Sequence, residues 1–502
     1  MHKSNEVSLK FESTETSTSL SCDYLVIGSG PGGSVAAYEL AKAGHQVLII
    51  EEGNFYSKEF YRQPISKLTT TLYRNGGINP IIGKPPIALG EGKCVGGGSQ
   101  INGGLLWRTP DNVYEEWSNL GIKQLTKESL TPFFEKIESM LNVSYKEDNP
   151  HRNKDSSIIH KTAQSKNWKS VPVPRAIKKC IDTNLCGTGC PTGAKQTMVD
   201  TYLKEACNNG AKILCNTKAK KILTKGKNAY QVLCEKNDQD KNKEIKINFK
   251  KLFLAMGTIH TPHLIKRSCL KSCAGNQFKF HLNLKVVAQF PFSVNAHNGT
   301  IFTHQVQEFE KEGLLMMASN WQPHFAAVTL SHFGSNTINQ VLKQFNRSAL
   351  FVSQIRSKST GKIISKLGKN PLPIYSFHSE DLKLAKFSLE KMGDLLLSAH
   401  AQKIYLPVRD SRPISKVTDI MSEVDKIKAE NLDLLTVHTM ASCPMGLDEN
   451  LSGVNPEGKL WHYDNIWVTD ASIIPDNIGE SPQGTIMALS HLIMDQHLAQ
   501  HG

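Results

Sequence analysis

The run DYLVIGSGPGG, residues 23–33, decides how this chain reads. Its first five residues are β-branched, aromatic and apolar, as a buried strand requires. Residues 34–43 are small and helix-permissive, Gly44 falls where a helix C-cap glycine belongs, and QVLII (residues 46–50) is a second apolar strand. The order is therefore β-α-β. Between strand and helix stand Gly28, Gly30 and Gly33 in the spacing GxGxxG, which gains meaning from that context. The first glycine permits a tight turn, the second lets backbone approach a pyrophosphate, and the third lets helix and strand pack closely. The helix N-terminus adds unpaired N–H groups and the positive end of a dipole. Glu51, at the end of the second strand, suits a ribose hydroxyl. The unit predicts a dinucleotide site, and by itself fits FAD and NAD equally.

Composition bounds the rest. The chain has 502 residues, 39% hydrophobic and 21% charged, in the ordinary globular range and long enough for two or more domains. No stretch reaches the roughly 18 apolar residues of a spanning helix, so no transmembrane segment is expected. Residues 1–22, rich in Ser, Thr and Glu, read as a flexible tail without a secretory h-region. Lys and Arg (59) exceed Asp and Glu (46), giving a net charge of +13. The excess is diffuse, and its densest part, residues 212–251, interleaves lysines with acids and has few aromatics. That is a solvated β-hairpin face and not a nucleic-acid groove. Eleven cysteines, an odd number, argue against a disulfide scaffold and for a reducing compartment or a metal site. The compartment expected is cytoplasmic, with periplasmic co-export beside a signal-bearing partner as the alternative.

Four more segments carry pattern: GKCVGGGSQINGG (92–104), AMGTIHTPHLI (255–265), HTMASCPMG (438–446) and VTDASIIPDNIGESPQGTIMAL (468–489). Together with GSGPGG and LIIEEG they resemble the glucose-methanol-choline oxidoreductases, FAD-dependent enzymes acting on alcohols. The resemblance implies an α/β fold: a Rossmann-like FAD domain with an interwoven α+β substrate domain on a mostly antiparallel sheet. On that pattern the FAD domain takes residues 23–110, 200–270 and 431–502. The substrate domain takes 111–199 and 271–430, including a Cys-rich loop at 180–190. By resemblance Gly96, Gly97, Ser99, Asn102 and Gly103 line flavin and pyrophosphate, and Asp470 reaches the diphosphate or ribitol region. The start of the last helix faces the pyrimidine edge.

Oxidising an alcohol requires a base for the hydroxyl proton, and histidine titrates near working pH. His438 occupies the family's active-site histidine position, with Ala441-Ser442 where Gly-Thr is usual. The second family position, normally His or Asn before a proline, is Ser481. A serine can hydrogen-bond a substrate oxygen but is no base near neutral pH. Three expectations follow: a reshaped pocket with His438 as sole base, compensation by Glu480, or a flavin-binding module of weakened activity. Cys180, Cys186 and Cys190 have a C-x5-C-x3-C spacing that fits an iron–sulfur cluster, reduced structural thiols or a single local disulfide; a structural zinc would want a fourth ligand. The segment resembles the Cys-rich insertion of sugar and sugar-acid dehydrogenases of the same family, which implies a [3Fe-4S] cluster. The expectation is thus hydride transfer from a sugar, polyol or related alcohol to FAD, with electrons passed to a non-oxygen acceptor such as a cytochrome. The alternative is an oxygen-using oxidase of long-chain or sterol-like alcohols.

Overall fold

The computed structural model describes residues 9–12, 18–77, 79–145, 153–238, 241–365 and 370–501. The β-α-β unit forms where expected. Strand β1 (Ser19–Ile27) leads into helix α1 (Pro31–Lys42), and β2 (Val47–Ile50) returns parallel to β1. β2 is buried at every position, as the interior of a parallel sheet demands. Pro31 opens α1, where a missing N–H costs nothing, and Gly44 follows its end with φ +87°. The sheet has seven strands. Lys212–Leu214 extends it beyond β2, Lys241–Leu254 lies parallel to β1 on the other side, and Ile466–Val468 pairs with the end of that strand. The basic stretch forms the antiparallel pair Thr217–Lys225 and Asn228–Asp238, with Lys220 bridged to Glu235. The last helix, Gln483–His501, is buried all round over its first twelve residues and packs on α1.

A second, ten-stranded sheet is antiparallel apart from one parallel pair, Leu434–Thr436 with Ile87–Leu89. Its centre is Lys279–Gln289 paired with Ser348–Arg356, backed by the helix Ser379–Ser398. The expected domain boundaries are crossed in both directions. Asn79–Ile81, Ile87–Leu89 and Leu434–Thr436 join this second sheet, although they fall within the segments assigned to the FAD domain. Conversely, Val113, Trp117, Leu130 and Phe134, from helices Asp111–Ser118 and Lys127–Met140, belong to the core of the first sheet. Of the expected tail, residues 1–8 and 13–17 lie outside the described residues. The rest is tied down: Phe11 bridges to Ile213, and Ser19–Cys22 are rungs of β1 against Lys246–Phe249. Among the described residues no helix is long and apolar enough to cross a membrane.

Candidate active site

One continuous cavity of about 1040 Å³ runs from the glycine turn after β1 to the face of the second sheet. It reaches the upper end of ordinary ligand-pocket volumes, about 1,000 Å³, as an extended dinucleotide plus substrate would require. At the turn, Gly28 has φ +102°, and a Cβ there would lie 2.3 Å from the Ala255 carbonyl oxygen. A Cβ on Gly33 would meet the Gly28 carbonyl oxygen at 2.1 Å, and one on Gly32 the Thr469 carbonyl oxygen at 1.6 Å. These three positions are closed by the protein itself. Gly30 differs: a Cβ there would meet nothing within 4 Å, so its open side is the cavity. The second glycine loop presses against it, with the Cβ position of Gly97 2.9 Å from the Gly30 Cα. Two backbone strips without side chains therefore face one channel, a shape that fits a diphosphate.

Glu51 also lines the channel. One carboxylate oxygen accepts from Ser29 N–H (3.1 Å) and Ser29 Oγ–H (2.6 Å), the other from Gly53 N–H (2.8 Å). Burial pushes its pKa up against those three donors. Ser29 Oγ in turn accepts from Gly96 N–H at 3.0 Å, which couples the two glycine loops. Gly96 and Ser99, which the resemblance places at the cofactor, are not among the residues that line the cavity. Ser99 Oγ donates to the Gly96 carbonyl (2.7 Å) and accepts from Met198 N–H (3.1 Å), so both residues shape the loop that presents Gly97, Gly98, Asn102 and Gly103. Asp470 lines the cavity, yet both its oxygens are occupied. Gly257 N–H (2.8 Å) and Thr261 Oγ (2.5 Å) bind one, and Ser472 N–H (2.8 Å) and Oγ (2.5 Å) the other. Its geometry is that of a clamp between two segments, 257–261 and 470–472.

His438 and Ser481 meet at the same cavity, together with Pro482 and Gln483 at the start of the last helix. Asn102 Nδ2 donates to Gln483 Oε1 at 2.5 Å, joining the glycine loop to that helix start. The half-buried His438 follows the strand Leu434–Thr436 and is held by Lys279–Gln289, where His281 N–H donates to the His438 carbonyl at 3.1 Å. The Nδ1 atoms of His281 and His438 lie 3.1 Å apart, so one ring must donate to the other. His438 Nε2 has no protein partner among the described residues. Burial lowers the His438 pKa to about 4, so the ring is neutral near pH 7. His281 has no neighbouring motif, and nothing in the sequence singled it out. Ala441 has φ +60°, the left-handed region in which glycine is the usual occupant. Glu480 does not line the cavity. Its carboxylate accepts from Ser481 N–H at 2.7 Å and faces Gln305, and burial pushes its pKa up to about 8.

The three cysteines do not converge on a metal. Among the described residues no group of three or more His, Cys, Asp or Glu side chains could hold one. Each sulfur has its own partner: Cys180 with Thr300 Oγ1 (3.3 Å), Cys186 with Arg175 Nη2 (3.8 Å), and Cys190 with Lys195 N–H (3.4 Å). The arrangement gives no support to a [3Fe-4S] cluster. What the segment does is brace the second glycine loop. Buried Lys195 donates to the carbonyls of Gln100 (2.9 Å), Asn102 (2.9 Å) and Cys186 (2.7 Å). Lys195→Met would strand three buried acceptors, and a loss of about 2–5 kcal/mol is expected, read as a lower melting temperature together with weaker flavin retention. An unchanged melting temperature would remove Lys195 from this role. A second set of charges was illegible in sequence because its members are scattered. Arg74 bridges Glu52 (2.9 Å) and Glu91 (3.0 Å), and His260 reaches Glu91 (3.2 Å), all on the cavity wall near Glu51.

Known proteins decide the family. Family models described as GMC oxidoreductase match residues 69–283 and 368–490, together more than half of the chain. The chain belongs to the GMC oxidoreductase family. A third model, an NAD(P)-binding Rossmann-like domain, matches residues 26–62. A GMC-type oxidoreductase of Sinorhizobium fredii is 28% identical over 96% of this chain and 95% of its own. A long-chain-alcohol oxidase of Arabidopsis thaliana is 25% identical over 94% of this chain and 68% of its own. Among solved folds, formate oxidase of Aspergillus oryzae superposes with a TM-score of 0.76 at 13% identity, covering 97% and 99% of the two chains. Pyridoxine 4-oxidase of Mesorbium loti superposes with 0.74 at 15%, covering 96% and 100%. As a GMC oxidoreductase, this chain is an FAD-dependent enzyme acting on alcohol-type substrates, with the two-layered architecture that its sequence implies.

Proposed function

We propose that this enzyme oxidises a long, largely apolar alcohol to the carbonyl compound, with His438 as the base and dioxygen as the electron acceptor. The observation that carries it is the unpartnered Nε2 of His438 at a cavity whose substrate arm is walled by Phe302, Met317, Val352, Phe325 and Leu435. FAD, when bound, supplies the hydride acceptor. Gly28, Gly30, Gly97 and Gly98 would hold its diphosphate and Glu51 a ribose hydroxyl, and Asn102, Gly103 and the start of the last helix would hold the ring. For Nε2 to take the hydroxyl proton, His438 must carry its own proton on Nδ1 and donate it to His281 Nδ1. His281 thus fixes the tautomer as a positioning residue. Ser481 Oγ hydrogen-bonds the substrate oxygen, and Asp470 keeps the helix at 257–267 and the strand end at 466–468 in register around the cofactor. The relatives named as long-chain-alcohol oxidases support both the apolar substrate and the oxygen acceptor. The non-oxygen acceptor with a cytochrome-like partner rested on the cysteine segment, where no metal-binding group is found among the described residues. Eleven unpaired cysteines support a reducing compartment.

Anaerobic mixing with alcohols of increasing chain length is expected to bleach the flavin, fastest with long primary alcohols, and admitting air is expected to restore the colour within the turnover time. No bleaching by any alcohol would overturn the reading; bleaching that air reverses only slowly would keep the base and return the acceptor to a protein.

A further inference from the structure

On the strand Lys279–Gln289, Asn283 and Lys285 line the cavity, and they share a strand face with His281, which sits behind them beside His438. On this face Asn283 stands opposite Gln354 and Leu435, and Lys285 stands opposite Val352, which is paired with Met317. The substrate arm therefore has apolar walls and a charge at its far end. Four residues at about 3.3 Å each place Lys285 about 13 Å along the strand from His281.

Lys285 has neither a hydrogen bond nor an ion pair among the described residues. Its ammonium lies 5.3 Å from the centre of the Phe325 ring. His324, on the same helix turn as Phe325, lines the cavity with a buried Nε2 that lacks a partner. Asn283, 5% exposed, likewise has no side-chain partner among the described residues. Asp433 is the acid nearest to Lys285, and it forms no ion pair with it. Burial pulls the Lys285 pKa down to about 8, with Asp433 opposing, so the group is still charged at neutral pH. A half-buried cation that faces a cavity with no hydrogen bond or ion pair of its own is placed to donate hydrogen bonds to an anion there.

We infer that Lys285, with His324 beside it, receives an anionic group at the far end of the substrate. The alcohol oxidised then carries its hydroxyl and its anion at opposite ends of an extended apolar chain. This rests on the alcohol reading for the hydroxyl end, whereas the anion site can be tested without turnover.

Straight-chain decanoate has the chain and the anion but no hydroxyl. Titrated into the flavin-loaded enzyme, it is expected to perturb the flavin absorbance saturably. Lys285→Met, close to isosteric, is expected to weaken that binding roughly ten- to hundredfold, and Lys285→Arg to restore most of it. The ratio of flavin-reduction efficiencies for ω-hydroxydecanoate over decan-1-ol should collapse by a similar factor in Lys285→Met. Decyl phosphate in place of decanoate separates the two sources of anion, and tighter binding of it would make the group a phosphate. Decanoate binding that Lys285→Met leaves unchanged, or no binding of either anion, overturns the inference. Lys285-dependent binding without reduction by any alcohol would uphold the anion site and overturn the alcohol reading.

Discussion

Replacing His438 by alanine is expected to slow anaerobic flavin reduction by alcohols about a hundred- to ten-thousandfold while leaving the flavin bound. The residue lines the cavity beside the second sheet, and the glycine turn at the other end of the cavity is formed by other segments. Cofactor retention and turnover should therefore separate. The pH profile adds a second readout. Burial lowers the His438 pKa to about 4, so the ring is deprotonated, and competent as a base, throughout the neutral range. With a neutral alcohol such as decan-1-ol, reduction efficiency in the native enzyme should be flat across the neutral range and fall only as acid protonates the ring near its lowered pKa. That acid limb should vanish in the alanine variant. A reduction rate unchanged by the substitution would move the base elsewhere. Glu480 would be a weak successor, because its carboxylate is turned to Gln305 and Ser481 N–H and away from the cavity.

The elements that sequence placed well are those whose position is set by backbone. GxGxxG after DYLVI could be read because strand, turn and helix N-terminus are contiguous, so their relative positions follow from local rules. His438 and Ser481 could be read because each sits in a segment with a family likeness, and the fold brings both to one cavity. Contacts between distant segments were the part that could not be read. The spacing of Cys180, Cys186 and Cys190 says that the thiols are near one another in the chain, not that their sulfurs point at a common centre. Arg175, Thr300 and the Lys195 N–H take one sulfur each. Gly96 and Ser99 lie in a glycine-dense loop and were assigned to the flavin, but a loop has two sides, and these residues face Ser29 and Met198. Short strands such as Asn79–Ile81 and Leu434–Thr436 carry three residues each, too few for a period-2 pattern to declare which sheet they join. His281 and Lys285 share that limit. Only the register of a central strand shows that they share a strand face, four residues apart.

The cradle gives the second large effect. Gly30→Val is expected to yield a folded protein that has lost FAD, with affinity weakened roughly a hundredfold or more, about 3 kcal/mol. Two observations separate this from simple misfolding. Gly30 has φ −68° and ψ −174°, extended backbone that valine adopts freely, and its Cβ position meets no protein atom within 4 Å. The new side chain therefore displaces only what occupies the cavity. Gly32→Ala is the contrasting case. Its Cβ would sit 1.6 Å from the Thr469 carbonyl oxygen, so the junction of α1 with the strand Ile466–Val468 must open before the methyl fits. That variant should lose folding and flavin together, with a lowered melting temperature even when excess FAD is present. Gly30→Val should instead melt like the flavin-free native protein. The pair thus assigns one glycine to the ligand and its neighbour to packing. Yellow, stoichiometric flavin in Gly30→Val would mean that the diphosphate does not pass over this turn, and the cofactor path through the cavity would have to be redrawn from the second glycine loop alone.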